Sequence, residues 1–157
     1  MARVPTDSRK IVARNRKALH EYHVVETWEA GIVLTGPEVK SIRAGRASLA
    51  ESFASVDRGE VWLRDMHISP YEPASRENAD PVRPRKLLLN RREIRRMIGA
   101  TQQKGQTLVP LDLYLREGKV KLTLALGRGK KLHDKRETVR QRTADREVER
   151  AIKSRGQ

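Results

Sequence analysis

Thr107-Leu-Val-Pro-Leu-Asp-Leu-Tyr-Leu-Arg-Glu-Gly-Lys-Val-Lys-Leu-Thr-Leu-Ala-Leu126 reads as two strands joined by a turn at Arg116-Glu-Gly-Lys119. In its second half Val120, Leu122, Leu124 and Leu126 recur with period two, the signature of a strand with one buried face. Directly after it, Gly127-Arg-Gly-Lys-Lys-Leu-His-Asp-Lys-Arg136 ends the apolar run and begins a cationic one. Gly127 and Gly129 free the backbone where the chain leaves the strand. Lys130, Lys131, Lys135 and Arg136 surround a lone His133. Asp134 through Glu137 has the form of a capping box, so a helix is expected to start there. Its apolar stripe (Val139, Val148, Ala151, Ile152) is too thin to hold it on a body, and it is expected to order against a partner.

Working back from that hairpin, the same patterns recur. Phe53 to Asp57 and Val61 to Ile68 alternate around Asp57-Arg-Gly59, a second hairpin. Residues 20–35 are rich in β-branched and aromatic types and read as one long bent strand or two short ones, with Gly31 permitting a bulge. Gly36 to Gly45 reads as a short helix, with Pro37 at its first position and Gly45 past its end. Asn90 and Glu93 frame a second helix start, and Ile94, Met97 and Ile98 form its apolar stripe, ending near Gly99. Arg85 to Leu89 is a short strand or a lead-in to that helix. Ser69 to Pro84 holds four prolines and no period, a long surface loop. Residues 11–19 form one or two helical turns or a basic leader. The sum is a mainly β protein with short helices: a closed or partly open antiparallel barrel of about five or six strands, of the oligonucleotide-binding type. Three parts are expected: a flexible basic N-terminus (1–10), the barrel domain (11–129) and a basic tail (130–157) that is helical when bound.

Charge narrows the function. The 157 residues hold 34 Lys and Arg against 20 Asp and Glu, a formal net charge of +14. A polyanion is the natural partner, nucleic acid or an anionic membrane surface. The charge is uneven: residues 83–96 hold seven cations and one anion, whereas residues 21–82 hold six cations and eleven anions. That distribution suits a folded domain with a cationic surface. There is no cysteine, which excludes disulfides and thiolate metal sites. No apolar run is long enough to span a membrane, and the N-terminus lacks the apolar stretch of a signal peptide, so a cytoplasmic protein is expected.

Catalytic chemistry is hard to find. His20-x-x-His23 lacks a nearby third ligand, and no Gly-rich phosphate loop precedes a Lys-Ser or Lys-Thr pair. Glu26, Glu29, Asp57 and Asp65 could form a metal-dependent nuclease site, but a solvated sheet face explains them better. The expectation is no enzyme, no cofactor and no metal. Recognition remains: cations for phosphates, and an exposed ring such as His133 to stack on an unpaired base. A general structured-RNA or ribosomal protein fits those features too.

Particular blocks go further. Ala13-Arg-Asn-Arg-Lys-Ala18, Glu29-Ala-Gly-Ile32, Glu38-Val-Lys-Ser41, Arg85-Lys-Leu-Leu-Leu-Asn90, Gly129-Lys-Lys131 and Asp134-Lys-Arg136 occur in the order and spacing of the SsrA-binding protein family, also called small protein B. The chain resembles that family over roughly residues 11–155. The resemblance implies an RNA-binding adaptor of trans-translation. It would bind the tRNA-like domain of transfer-messenger RNA and help deliver it, with elongation factor Tu, to stalled ribosomes. It implies RNA contacts at Asn15, Arg16, Lys17, Glu29, Lys40, Leu88, Lys121, Gly129, Lys130 and Lys131. It implies that the tail enters the empty messenger channel and the small-subunit decoding centre, with His133 as the stacking ring and Asp134, Lys135 and Arg136 starting the tail helix. A monomer is expected. Pro37 departs from the more usual polar residue, and His133 stands where many relatives have Tyr. Leu88 could equally be a core residue, and Glu29, an acid, could accept from a base or sugar or orient a neighbouring Arg.

Overall fold

The computed structural model describes residues 9–72 and 78–130. Nine strands and three short helices follow in the order β1 (Arg9–Arg14), α1 (Arg16–Glu21), β2 (Tyr22–Ile32), α2 (Gly36–Arg43), β3 (Ala47–Ser48), β4 (Phe53–Asp57), β5 (Glu60–Arg64), β6 (His67–Ile68), β7 (Arg85–Leu88), α3 (Arg91–Thr101), β8 (Gln106–Arg116) and β9 (Lys119–Gly129). The large sheet is antiparallel, ordered β1-β8-β4-β5-β7-β2-β9, and β9 pairs back onto β8. Six strands thus form a ring, with β1 added outside on β8. β3 and β6 make a separate two-stranded ladder.

Both expected hairpins form, and their turns explain themselves. Arg58-Gly59 and Glu117-Gly118 each place two successive residues at positive φ (51° and 77°, 52° and 77°). That is the two-residue turn whose twist matches the flanking strands. The two longer helices start with full capping boxes: Thr35 with Glu38 for α2, and Asn90 with Glu93 for α3. Inside the ring, the inward positions of successive strands (Val61, Leu63, Leu87, Leu113, Leu122, Leu124) are buried and form the core. Met97 and Ala100 on α3 pack against the same core.

Several expectations are corrected. Residues 9–14 are a strand along β8, not helical turns, and the helix begins only at Arg16. Ordered pairing therefore reaches back to Arg9, inside the expected flexible leader. β2 is one strand, and its register shift lies between Val24 and Glu26, not at Gly31, which is regularly paired. Gly127 does not end β9. The strand runs to Gly129, and a Cβ at Gly127 would lie 3.0 Å from Cβ of Tyr22, whose ring covers it. The expected strand over 61–68 breaks at Asp65, which adopts φ 60°. The expected tail helix and the residues Lys131, His133, Asp134, Lys135 and Arg136 lie outside the described residues.

Candidate nucleic-acid interface

Register builds the site. Ile11 on β1 pairs Tyr114 on β8, Tyr114 pairs Lys121 on β9, Lys121 pairs Gly31 on β2, and Gly31 pairs Leu88 on β7. Cross-strand partners share a face, so these five residues form one transverse row over about 19 Å of sheet. Leu88 is 51% exposed and Ile11 39% exposed. Leu88 is therefore a surface residue and not a core one. It lines a shallow depression with Gly31, Val39, Gly118 and Lys121. Gly31 makes that depression possible: a Cβ there would stand 3.2 Å from Leu88 Cβ and 3.6 Å from Lys121 Nζ.

Glu29, two residues along β2 from Gly31, accepts hydrogen bonds from the Tyr114 hydroxyl and from Arg116 Nη1 (2.9 and 3.2 Å). Burial pushes its carboxyl up, but the Tyr114 hydroxyl and Arg116, with Lys121 adding its charge, hold it below the usual carboxylate range. Burial and Glu29 together push the Tyr114 phenol well up, so it stays protonated as a donor. Arg9 stacks over the Tyr114 ring, 3.9 Å from its centroid, and reaches Asp112 at 3.5 Å. Glu29 thus acts as an anchor: it fixes Arg116 and Tyr114 beside Lys121. Tyr114, Arg116 and Arg9 carry no signal in the sequence: the β8–β9–β2 register brings Tyr114 and Arg116 to Glu29, and the β1–β8 register brings Arg9 to Tyr114.

The other expected contacts, Lys40 on α2 apart, fall into a second group. Gly129 pairs Tyr22, at the opposite end of the β2–β9 ladder from Gly31 and Lys121. Eight residues of strand separate Lys121 from Gly129, roughly 26 Å. Asn15 is only 2% exposed, and both ends of its amide are engaged: Oδ1 accepts from Ala18 N to cap α1, and Nδ2 donates to Pro110 O at 2.9 Å. Pro110 and Asp112 flank the register shift in β8, and the Asn15 backbone N–H donates to the carbonyl of Leu111, the residue the register skips, at 2.7 Å. Its amide sets the corner from which Arg16 and Lys17 project into solvent. Lys17 pairs with exposed Glu51 at 2.6 Å. Lys130 donates from Nζ to Leu19 O at 3.1 Å, tying the end of β9 to α1. Lys40 stands on α2 with its ammonium 5.4 Å from the Tyr71 ring centroid.

Two groups of cations on a ring of strands, one built around a glycine gap with an exposed leucine, define a small mainly β protein whose surface suits a polyanion. Glu26 pairs Arg96 and Glu29 pairs Arg116, and among the described residues no three of His, Asp and Glu gather to hold a metal. Nor is any described helix long and apolar enough to cross a membrane.

Comparison with known proteins gives the family. A protein-family model described as SmpB protein matches residues 12–154. The SsrA-binding protein of Geobacillus sp. (strain WCH70) is 55% identical over 152 residues, 97% of this chain and 98% of its own length. That of Bacillus subtilis (strain 168) is 54% identical over 150 residues, 96% of each chain. That of Carboxydothermus hydrogenoformans is 56% identical over 146 residues, 93% of this chain and 98% of its own. A chain in the solved structure described as "tmRNA-SmpB: a journey to the center of the bacterial ribosome" superposes with a TM-score of 0.66 at 50% identity, covering 81% of this chain and 93% of that one. The chain belongs to the SmpB protein family.

Proposed function

We infer that the protein is a non-enzymatic RNA-binding adaptor of trans-translation. It binds the tRNA-like domain of transfer-messenger RNA and helps bring it to stalled ribosomes, acting as a monomer in the cytoplasm with elongation factor Tu in the delivery complex. The ring of strands serves as a barrel of the oligonucleotide-binding type. Residues 11–129 form its body, to which β1 adds Arg9 and Lys10, and residues 130–157 are a tail for the messenger channel and decoding centre. The observation that carries this reading is the exposed Leu88 beside Gly31 and Lys121. An apolar side chain left in solvent at a cationic depression offers a packing surface for a base or sugar, with phosphate held alongside. Glu29 contributes by orienting Arg116. Asn15 contributes by placing Arg16 and Lys17. The relatives named SsrA-binding protein, and the tmRNA-SmpB structure, support the choice of RNA over other polyanions.

The body and the tail have separable tasks on this reading. A chain truncated before Asp134 is expected to keep its affinity for transfer-messenger RNA and to lose peptide tagging on stalled ribosomes. Binding and tagging assays on the same preparation check both halves. Tagging by the truncated chain would remove the tail from the mechanism.

A further inference from the structure

Helix α3 carries Arg91, Arg92, Arg95 and Arg96 in its first two turns, and none of its last-turn residues is basic. Physically this is the wrong way round. Cations near a helix N-terminus oppose the helix dipole, which favours anions there. Arg91 with Arg95, and Arg92 with Arg96, are like charges four apart on one helix and repel. Among the described residues only Arg96 has a counter-charge, Glu26 at 3.2 Å. Arg91, Arg92 and Arg95 are exposed, and among the described residues their guanidinium groups have no ion pair or hydrogen bond. Glu93, the acid between them, is committed to the capping box with Asn90. The helix's apolar side is spent on the core through Met97 and Ala100, so the arginines are left for solvent. Gly99, seven residues beyond Arg92 and four beyond Arg95, continues their side of the helix without a side chain, and open space surrounds it.

We propose that the outward face of α3, formed by Arg91, Arg92 and Arg95 and levelled by Gly99, is a phosphate-binding surface that continues the Leu88–Lys121 site along a second stretch of RNA backbone. Continuity follows from the chain. Arg91 is three residues past Leu88, at most about 11 Å of backbone away. From there α3 extends about 16 Å, past the point where Arg96 meets Glu26 on β2. A rigid, capped helix holds the three guanidinium groups at fixed spacing, and a guanidinium is suited to bidentate phosphate contact. The unfavourable placement is a cost in the free protein that a polyanion removes on binding. The proposal rests on the RNA-binding reading above and adds residues which that reading does not include.

The test uses the full chain, transfer-messenger RNA and a series of salt concentrations. Wild type is measured first: failure to bind this RNA at all would defeat the underlying reading, not this one. The variant Arg91→Gln/Arg92→Gln/Arg95→Gln is expected to bind more weakly, with a salt slope smaller by about 2 to 3 for three lost contacts. Its thermal midpoint is expected to be unchanged or raised, since the removed charges opposed the dipole. A control, Arg46→Gln/Arg58→Gln/Arg64→Gln, removes the same charge elsewhere on the surface and should leave the slope nearly as it was. The single change Arg92→Gln, which leaves the helix otherwise intact, should reduce the slope by roughly 1. An unchanged slope in the triple and single variants overturns the proposal. So does an equal loss in the control, which would mean that net charge alone is at work.

Discussion

Replacing Glu38 by alanine is expected to destabilise the protein by about 3–5 kcal/mol, the usual cost of stripping one partner from a buried ion pair. Glu38 is 5% exposed and lies in the first turn of α2. Its carboxylate accepts from Arg85 Nε at 2.7 Å, from Arg83 and from Thr35 N at 2.9 Å. Arg85 is 0% exposed, and its other nitrogens donate to Met66 O (2.7 Å) and Pro81 O (3.1 Å). The Glu38–Arg85 pair therefore joins α2, β7, the Pro81 segment and Met66 just before β6. Glu38→Ala leaves the Arg85 guanidinium buried without its counter-charge. Urea unfolding would show the loss as a lower midpoint with an unchanged slope. A double variant, Glu38→Leu/Arg85→Met, should recover much of it, because apolar replacement of both partners removes the uncompensated charge. The pH dependence follows in sign. Burial pushes the Glu38 carboxyl up, but the hydrogen bonds from Arg83, Thr35 and Arg85 pull it below the ordinary glutamate range. Its stabilising share is complete above that range and is lost as pH falls through the depressed folded value. Acid unfolding should therefore be shallower in the double variant. A Glu38→Ala protein as stable as wild type would contradict this picture of the corner.

RNA affinity should be governed by salt. If about six to ten phosphates are neutralised, affinity for transfer-messenger RNA falls roughly 10³–10⁵-fold between 50 and 200 mM salt. Lys121→Gln/Lys130→Gln/Lys131→Gln is expected to weaken binding and to reduce the salt slope by about 2 to 3. Lys130 also holds Leu19 O, so its replacement loosens α1, and a thermal midpoint measured alongside separates that effect from lost phosphate contact. A fall in affinity of less than tenfold over the same salt range would mean that few phosphates are touched, and that the cationic groups on the ring are solvated surface.

The fold was legible where chemistry is local. Period two across Val120 to Leu126, positive-φ turn residues at Arg58-Gly59 and Glu117-Gly118, and the capping residue Asn90 each act within a few positions. The site was legible only in part. The family resemblance implied Leu88, Lys121 and Glu29, and strand register places these three near one another. What pattern could not supply was long-range pairing. Tyr114 reaches Glu29 across 85 positions, and Arg85 reaches Glu38 across 47. β1 was not legible as a strand because Ile11 and Ala13 gain strand partners only when β8 lies beside them. The resemblance implies an RNA contact at Asn15, and no local pattern showed that its amide would reach the Pro110 carbonyl of β8, 95 positions away.

On the function proposed above, the body recognises the shape of one RNA and not charge alone. The direct measurement is competition between transfer-messenger RNA and bulk tRNA for the full chain at physiological salt. A strong preference for transfer-messenger RNA is predicted. Equal binding of the two would contradict the account and leave a general RNA-binding protein in its place.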